Sequence, residues 1–549
     1  MSLAQEYSPK FTNISPEDLE EINRAPVPPA AYRPSLEDFS PEALERANIT
    51  HASFASKNLH ISRVRVGRRV GRYLEYTPPD PGHYLELYYW DEVFATIIDA
   101  EYGTEASLGA AERGIKSLFK GQYESGFIPN IQDMKISRLT ELKPEQMLGF
   151  DSKDHSNYTQ PPIVALGISK IYKARKNQEG VSKELRDHQA KEFLSSVYEP
   201  MKRAYEFLDL NRRVAPDDRR VFIIHPHETG RDSDPTYRGL KRVMIPRKGE
   251  HTPKIIDRTN TFLDYGQILL FGNKLKRANG DMAKIRELFG AVDLMFNCML
   301  ADNLHVAAEL ALELAGTGDD EASRQYRQDA SWFRQYAIDV EGKLQDKNWF
   351  PKARNGKGGF YSTDKDGRPY NEVGINNLAP LMLPNLSEEQ IRSLSHMLDN
   401  DFDVPYPLPS VGKFSKNFDP HNQQLDRLWE GSTWINLNWY YSERGIKRLI
   451  DNRAVQQDRL LKFRLQSWAI RLARKSKELY AMNGAKEFYD SITGRAQRTY
   501  RVKNFAWSNL ALIMTGVRLE YEDNELESLV DEYAEFLESL RAEAEIVYT

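Results

Sequence analysis

Carboxylic acids set among aromatic rings recur at four places in this chain of 549 residues. The first is YLELYYWDEVF at 84–94, where Tyr84, Tyr88 and Asp91 have the i, i+4, i+7 spacing of one helical face and Trp90 lies beside them. Aromatic faces stack on the CH groups of a sugar while a carboxylate takes its hydroxyls, so the pattern suits a carbohydrate; the same stripe also suits a helix core. The second is VFIIHPHETGRDSDP at 221–235, which puts Glu228, Asp232 and Asp234 in a turn-rich stretch after an apolar run. Three chemistries compete there. His225 and His227, one residue apart, face the same way on a strand and fit the first pair of ligands of a metal-dependent hydrolase. That needs further ligands on later strands, and His251, His305, His396 and His421 lie in helix-dominated surroundings. A solvated acidic loop is the second chemistry. The third makes Asp232 a general acid whose proton is retained through burial or through Glu228. At the third place, LWEGSTWINLNWYY at 428–441, Trp429 and Trp434 flank a glycine-containing turn, as a ligand platform or as a packed helix start. The fourth, KEFYDSITGRAQ at 486–497 followed by FAWSNLALIM at 505–514, sets Glu487 in aromatic company before a glycine-containing turn, which suits a buried carboxylate.

These groups need elements to hold them. Amphipathic stretches predict helices near 84–102, 105–119, 160–177, 183–210, 259–278, 282–300, 303–315, 320–345, 387–399, 429–450, 453–480, 503–516 and 524–545. Several are joined by short turns, which makes consecutive helices antiparallel neighbours, so the body is a series of helical hairpins. No repeat of fixed period is visible, and hairpins can close into a ring without one. Residues 1–82 differ: PVPPAAYRP and TPPDPG bracket alternating stretches such as LHISRVRVGRRV, which favour strands or loops and an extension packed on a main body from residue 83 to 549. Four long irregular connections, 120–159, 211–258, 346–386 and 400–428, are where chemistry is expected. A basic run at 444–477 and an acidic one at 518–545 nearly mirror each other, as solvated helix faces or as a docked pair whose removal would lower the thermal midpoint in a salt-dependent way.

Composition narrows the classes. With 40% apolar and 28% charged residues the chain is globular, neither disordered nor fibrous. Seventy-five Lys and Arg against 80 Asp and Glu give a net charge of −5, so no global field favours nucleic acid or an anionic membrane as partner. The single cysteine, Cys298, excludes a disulfide framework and a multi-cysteine metal site. MSLAQEYSPK lacks the apolar core of a signal peptide, and no apolar run approaches the roughly 18–20 residues that span a bilayer. The expectation is a soluble, cytoplasmic protein, with assembly into a homo-oligomer left open. Length alone, at about 150 residues per domain, allows three or four domains, whereas a closed helical ring would be one.

The order of the motifs resembles the catalytic domain of glycoside hydrolase family 63. YYWDEVF, GFIPN at 126–130, HETGRDSDP, GGFYSTDKDG, PYPLPSV at 405–411, WEGSTWINLNW, EFYDSITG and FAWS follow one another over about residues 84–516. The chain is similar above all to the compact bacterial members that include mannosylglycerate and glucosylglycerate hydrolases. The resemblance implies an all-α (α/α)6 barrel, a six-hairpin toroid with long loops at one end, and net inversion at the anomeric carbon. It places the general acid on Asp232 and the general base on Glu487, and puts Tyr84, Tyr88, Trp90, Asp91, Glu228, Gly230, Trp429, Trp434 and Trp507 around the sugar. It implies a small carbohydrate substrate and neither a metal nor another cofactor. Departures from the family pattern are Thr229 for Ser, Asp234 for Ser, His227 where Trp is frequent, Glu430 for Arg and Ser432 for Pro. An added carboxylate near the aglycone would repel an acidic one, so the expected substrate is a neutral α-glucoside or related oligosaccharide cleaved from its non-reducing end. An α-mannosyl- or α-glucosyl-glycerate is the alternative, and a non-catalytic toroid that binds carbohydrate or protein is the rival from another class.

Overall fold

The computed structural model describes residues 32–69, 72–132, 155–156, 158–232, 234–237, 286, 290–354, 356–421, 427–496, 502 and 504–548. The helix expected at 259–278, and the first part of that at 282–300, lie outside them. The chain begins with a short 3-10 turn at Leu36–Phe39, then α1 (Pro41–Asn48) and α2 (Ala52–Ser62). An antiparallel hairpin of β1 (Val64–Arg69) and β2 (Arg72–Tyr76) follows. The body comprises α3 (Tyr89–Tyr102), α4 (Glu105–Lys120), α5 (Val164–Lys176), α6 (Lys183–Arg212), α7 (Leu294–Ala315), α8 (Glu321–Lys347) and α9 (Glu388–Asp401). It continues with α10 (Ile435–Tyr440), which runs through a π-helical turn into α11 (Lys447–Ile450), then α12 (Arg453–Gln456), α13 (Arg459–Asn483) and α14 (Asp523–Tyr548).

Burial sorts these into two layers. α3, α5, α7, the 3-10 helix Ile375–Met382, α10 with its π turn, and the 3-10 helix Ala506–Leu512 are buried on most sides and contact one another in chain order, the last packing back on α3. α4, α6, α8, α9 and α13 bury one stripe and form the outer layer. The sixth outer place, between Ala506–Leu512 and α3, is taken by α2. The result is a closed (α/α)6 barrel, as expected.

The first elements depart from the sequence reading, which favoured strands or loops before residue 82. Their helices are short, eight and eleven residues, and bury alanines, Ala43 and Ala47 in α1 and Ala55 in α2, so few large apolar side chains mark them, while the Ser40 hydroxyl caps α1 by accepting from Ala43 N at 3.2 Å. Other differences are local. The last part of the helix expected at 282–300 and the one expected at 303–315 are one rod, α7, capped by Asp293. The 429–450 helix starts only at Ile435, because Gly431 adopts φ +117°. Within the 503–516 stretch, Ala506–Leu512 is 3-10 rather than α-helical. The acidic helix α14 does dock on α13 and α9, chiefly through an apolar seam of Leu529, Val530, Tyr533, Leu537 and Leu540. Asp399 sits under it, taking Tyr533 OH at 2.7 Å, Arg464 and Trp468, and the Arg464 guanidinium lies 3.8 Å over the Phe536 ring. Among the described residues the surface charge contributes one α13–α14 pair, Arg459–Glu525 at 2.7 Å. The mirrored charge is therefore not what holds the helix. No helix among the described residues is long and apolar enough to cross a membrane.

Between α3 and the hairpin a carboxyl is sealed in. Glu92 accepts Thr77 N at 2.7 Å on Oε2, while Oε1, against Gly114, has no partner among the described residues. Burial pushes its pKa from 4.5 to about 8, against the pull of Arg63. The folded state thus holds a proton that the unfolded chain releases. The stability this confers is fully present below the unfolded pKa and lost as pH rises through about 8. Thermal unfolding of Glu92→Gln between those limits should decline less with pH than that of the native chain; an unchanged slope would refute the assignment.

Candidate active site

The acid-bearing loop is anchored before it reaches the pocket. Val221 N donates to Asn297 Oδ1 at 2.7 Å and Ile223 N to Ala291 O at 2.8 Å, tying the incoming strand to the start of α7. Pro226 then opens a 3-10 turn that ends at Gly230 in the left-handed conformation, φ +72°. A Cβ at Gly230 would lie 2.4 Å from the Trp90 ring, so Gly230 lets the loop sit on that indole. Arg231, fully buried, turns inward to Asp293 at 2.6 Å and Asp234 at 3.0 Å. Its neighbour Asp232 is exposed. The expectation that burial or Glu228 acts on Asp232 is corrected here. Glu228 is enclosed, paired with Arg212 at 3.1 Å and receiving Thr159 N and Ile224 N, so it braces the loop from behind.

Glu487 arrives on a different frame. Thr433 and Tyr489 exchange backbone hydrogen bonds at 2.8 and 3.0 Å, which fixes Trp434 and Glu487 on adjoining segments. Trp507 Nε1 donates to the Glu487 carbonyl at 3.0 Å. The Glu487 side chain accepts from Tyr84, while its Oε2 is enclosed and has no partner among the described residues. Burial pushes its pKa well above the glutamate range, and the negative charges of Asp232, Asp91 and Asp80 push the same way. Asp91 is raised likewise, by burial and then by Asp232. Asp91 and Glu487 thus both lie within electrostatic reach of Asp232.

Aromatic rings join these carboxyls. Trp429 stacks on Trp434 at 3.8 Å and 3°, Trp434 meets Trp507 at 5.9 Å, and Trp507 meets Trp90 at 5.7 Å. Phe505 continues the row from Trp507 at 4.4 Å to Tyr84 at 5.9 Å, and Tyr84 meets Tyr88 at 6.0 Å. Trp434 Nε1, like Glu487 Oε2, is enclosed without a partner among the described residues. An unmatched donor and an unmatched acceptor in an aromatic-walled pocket are what a polyhydroxylated ligand would satisfy. Tyr84, Tyr88 and Asp91 do converge, though not on one helical face. Leu87–Tyr88 pairs with Ile131–Gln132 as a two-residue strand and α3 begins at Tyr89, so the tyrosines reach the site from extended chain. Gly230 and Trp90 are packing partners beneath the acid, and Glu228 has no surface toward a ligand.

The two histidines considered as metal ligands pack with Tyr158, which lies close to Tyr88. Tyr158 stacks on His225 at 4.9 Å and 18°, and His227 stands edge-on to His225 at 4.6 Å. Among the described residues no three His, Cys, Asp or Glu side chains gather as metal ligands. Asp80, in the proline-rich TPPDPG turn, accepts Gly82 N at 2.8 Å and Asn504 N at 3.1 Å and adds its charge behind Glu487. The only trace of it in the sequence is an aspartate between prolines in a turn. Because the Asp80 charge raises the Glu487 pKa, Asp80→Asn should move the acidic limb of the pH–activity profile to lower pH; a limb that stays or rises removes Asp80 from the site's electrostatics.

Among known proteins, the model of the mannosylglycerate hydrolase MGH1-like glycoside hydrolase domain matches residues 88–508. The chain belongs to this family. It is a glycoside hydrolase, as the motif order implied. Mannosylglycerate hydrolase MGH1 of Selaginella moellendorffii is 26% identical over 439 residues, 76% of this chain and 78% of that one. The mannosylglycerate hydrolase of Thermus thermophilus is 24% identical over 455 residues, 80% of this chain and 96% of that one. A solved family 63 mannosylglycerate hydrolase, also from Thermus thermophilus and in complex with Tris and D-glycerate, superposes with a TM-score of 0.63 at 22% identity, covering 84% of this chain and 98% of that one. The shared fold is the six-hairpin glycosidase barrel.

Proposed function

We propose that this glycoside hydrolase cleaves a small α-linked glycoside with net inversion, Asp232 protonating the glycosidic oxygen and Glu487 activating the water. The observation that carries the proposal is an exposed carboxyl, Asp232, within electrostatic reach of Glu487, whose Oε2 is enclosed beside a row of aromatic rings. In the step, water adds to the anomeric carbon as the bond to the leaving oxygen breaks. Asp232 gives its proton to that oxygen and Glu487 takes one from the water, a geometry that needs about 6.5–9.5 Å between the two carboxyls. Burial and the charges of Asp232 and Asp91 hold Glu487 toward its protonated form, so it serves as a base only once that proton has left.

Glycerate α-glycosides are the first substrates of the proposal, since the named relatives hydrolyse mannosylglycerate. Glu430, the reason to expect a neutral substrate, is only 3% exposed and already engaged by its surroundings, so it presents no bare charge to an aglycone. Incubation with mannosylglycerate, glucosylglycerate and neutral α-disaccharides, followed by NMR, tests substrate and stereochemistry together. The proposal requires the β-anomer to appear first from an α-linked substrate. First release of the α-anomer would refute inversion, and hydrolysis of neutral disaccharides alone would restore the neutral-substrate reading.

A further inference from the structure

Asp91 opens α3 at the active site, whereas Ala100 and Glu101 at the other end of that helix, about 15 Å away along its axis, line a separate basin of ≈ 520 Å³ between α3, α5, α7 and the α10–α11 rod. Its floor includes Ala100, Leu166 and Val306, and Lys170, Lys173, Arg444 and Arg448 stand around it with Glu101 and Glu309. The two arginines are held from beneath by one carboxylate. Asp302, whose side chain is fully buried, receives Arg444 Nε at 3.0 Å and Nη2 at 2.7 Å, Arg448 Nη1 at 2.5 Å and Tyr440 OH at 3.0 Å. One negative charge thus fixes two guanidinium groups side by side. Arg444 Nη1 and the Nε and Nη2 of Arg448 have no hydrogen-bond acceptor among the described residues. On the facing wall, Lys170–Glu101 and Lys173–Glu309 are loose pairs at 3.6 Å between largely exposed side chains, which hold their lysines weakly.

We propose that this basin is a second binding site, remote from the catalytic carboxyls, for a compact oxyanion of the phosphate or phosphomonoester class. Paired guanidinium forks fixed by a buried acid match tetrahedral phosphate oxygens without first paying to order the side chains. The volume is that of a small-molecule site. A lock that merely closed the end of the barrel would need Asp302 and its arginines, but not two more cations across an open cavity.

Titration calorimetry of the full chain with inorganic phosphate and with glucose 6-phosphate, in chloride buffer, tests this. Saturable binding is expected, tighter for glucose 6-phosphate if the site is built for a phosphomonoester and equal for the two if it is built for free phosphate. Arg448→Gln should weaken binding by about tenfold, the loss of a charged hydrogen bond. Lys173→Gln, on an exposed residue that cannot endanger the fold, should weaken it by a smaller factor. Glycosidase activity without added anion should be unchanged in both. Absence of saturable binding of either probe to the native chain, or affinity unaltered in both variants, would overturn the proposal.

Discussion

Glu487→Gln should hydrolyse substrate about 10²–10⁴-fold more slowly than the native chain, with its thermal midpoint held or raised. The substitution is isosteric, and the oxygen it replaces on Oε2 has no partner among the described residues to lose. It also removes a carboxyl whose ionisation burial opposes. A loss of rate without a loss of stability therefore isolates the chemistry. The companion Asp232→Asn should show a deficit that depends on the leaving group: severe for a sugar–alkoxide bond, and much smaller for an aryl glycoside whose phenolate departs without a proton. Because Glu487 must be ionised to act and its pKa is raised, activity should fail on the acid side at a pH above the ordinary glutamate range, and Glu487→Gln should have no such limb in its residual rate. Unimpaired hydrolysis in both variants would end the assignment and return the chain's activity to other residues.

The largest effect on stability is expected at Asp293. Its carboxylate caps α7 through Phe296 N at 2.7 Å, takes Tyr237 OH at 2.5 Å and neutralises the fully buried Arg231 at 2.6 Å. Asp293→Ala removes the cap and leaves a guanidinium enclosed with Asp234 as its remaining counter-charge, a change that costs about 3–5 kcal/mol when a buried pair loses one partner. Asp293→Asn keeps an acceptor for Phe296 N and loses only the charge, so it should fall between Ala and the native residue in denaturant midpoint. Since Arg231 immediately precedes Asp232, both variants should lose activity below the temperature at which they unfold. A cost for Asp293→Ala below about 1 kcal/mol, the effect of an ordinary substitution, would show that Arg231 is satisfied without it.

The long helices were legible because leucine, valine and aromatic residues recur on one stripe over many turns, as in α6 and α8. α1 and α2 were not, because they are short and bury mostly alanine and serine, so no stripe of large apolar side chains runs over several turns. Tyr84 and Tyr88 do not share the helical face that their spacing suggests. Their spacing fits a helix, but Tyr89 N and the 87–88 strand bond to residues 130–132, and those pairings are invisible in a local window. Asp232 and Glu487 stood out as carboxyls in aromatic or turn-rich company, yet their partnership came from motif order and not from spacing. Glu228 looked equivalent to Asp232 by residue type. Only the tertiary position of Arg212 separates the carboxylate that braces the loop from the one that faces the pocket.

The seam of the barrel sets a schedule for its assembly. Asn58 in α2 bonds Tyr480 OH at 2.8 Å and Asn509 at 3.1 Å, His51 N reaches Leu512 O at 2.8 Å, and Pro79 O receives Ala506 N at 2.8 Å. These partners are separated by more than 400 positions of chain, so a growing polypeptide emerging from the ribosome holds α2 and the Asp80 turn without the surface they will cover. Tyr84 and Asp80 then meet Glu487 only when the last hairpin arrives. A nascent chain can pack its middle helices early, but it cannot own a finished catalytic pocket until its two distant ends are zipped together.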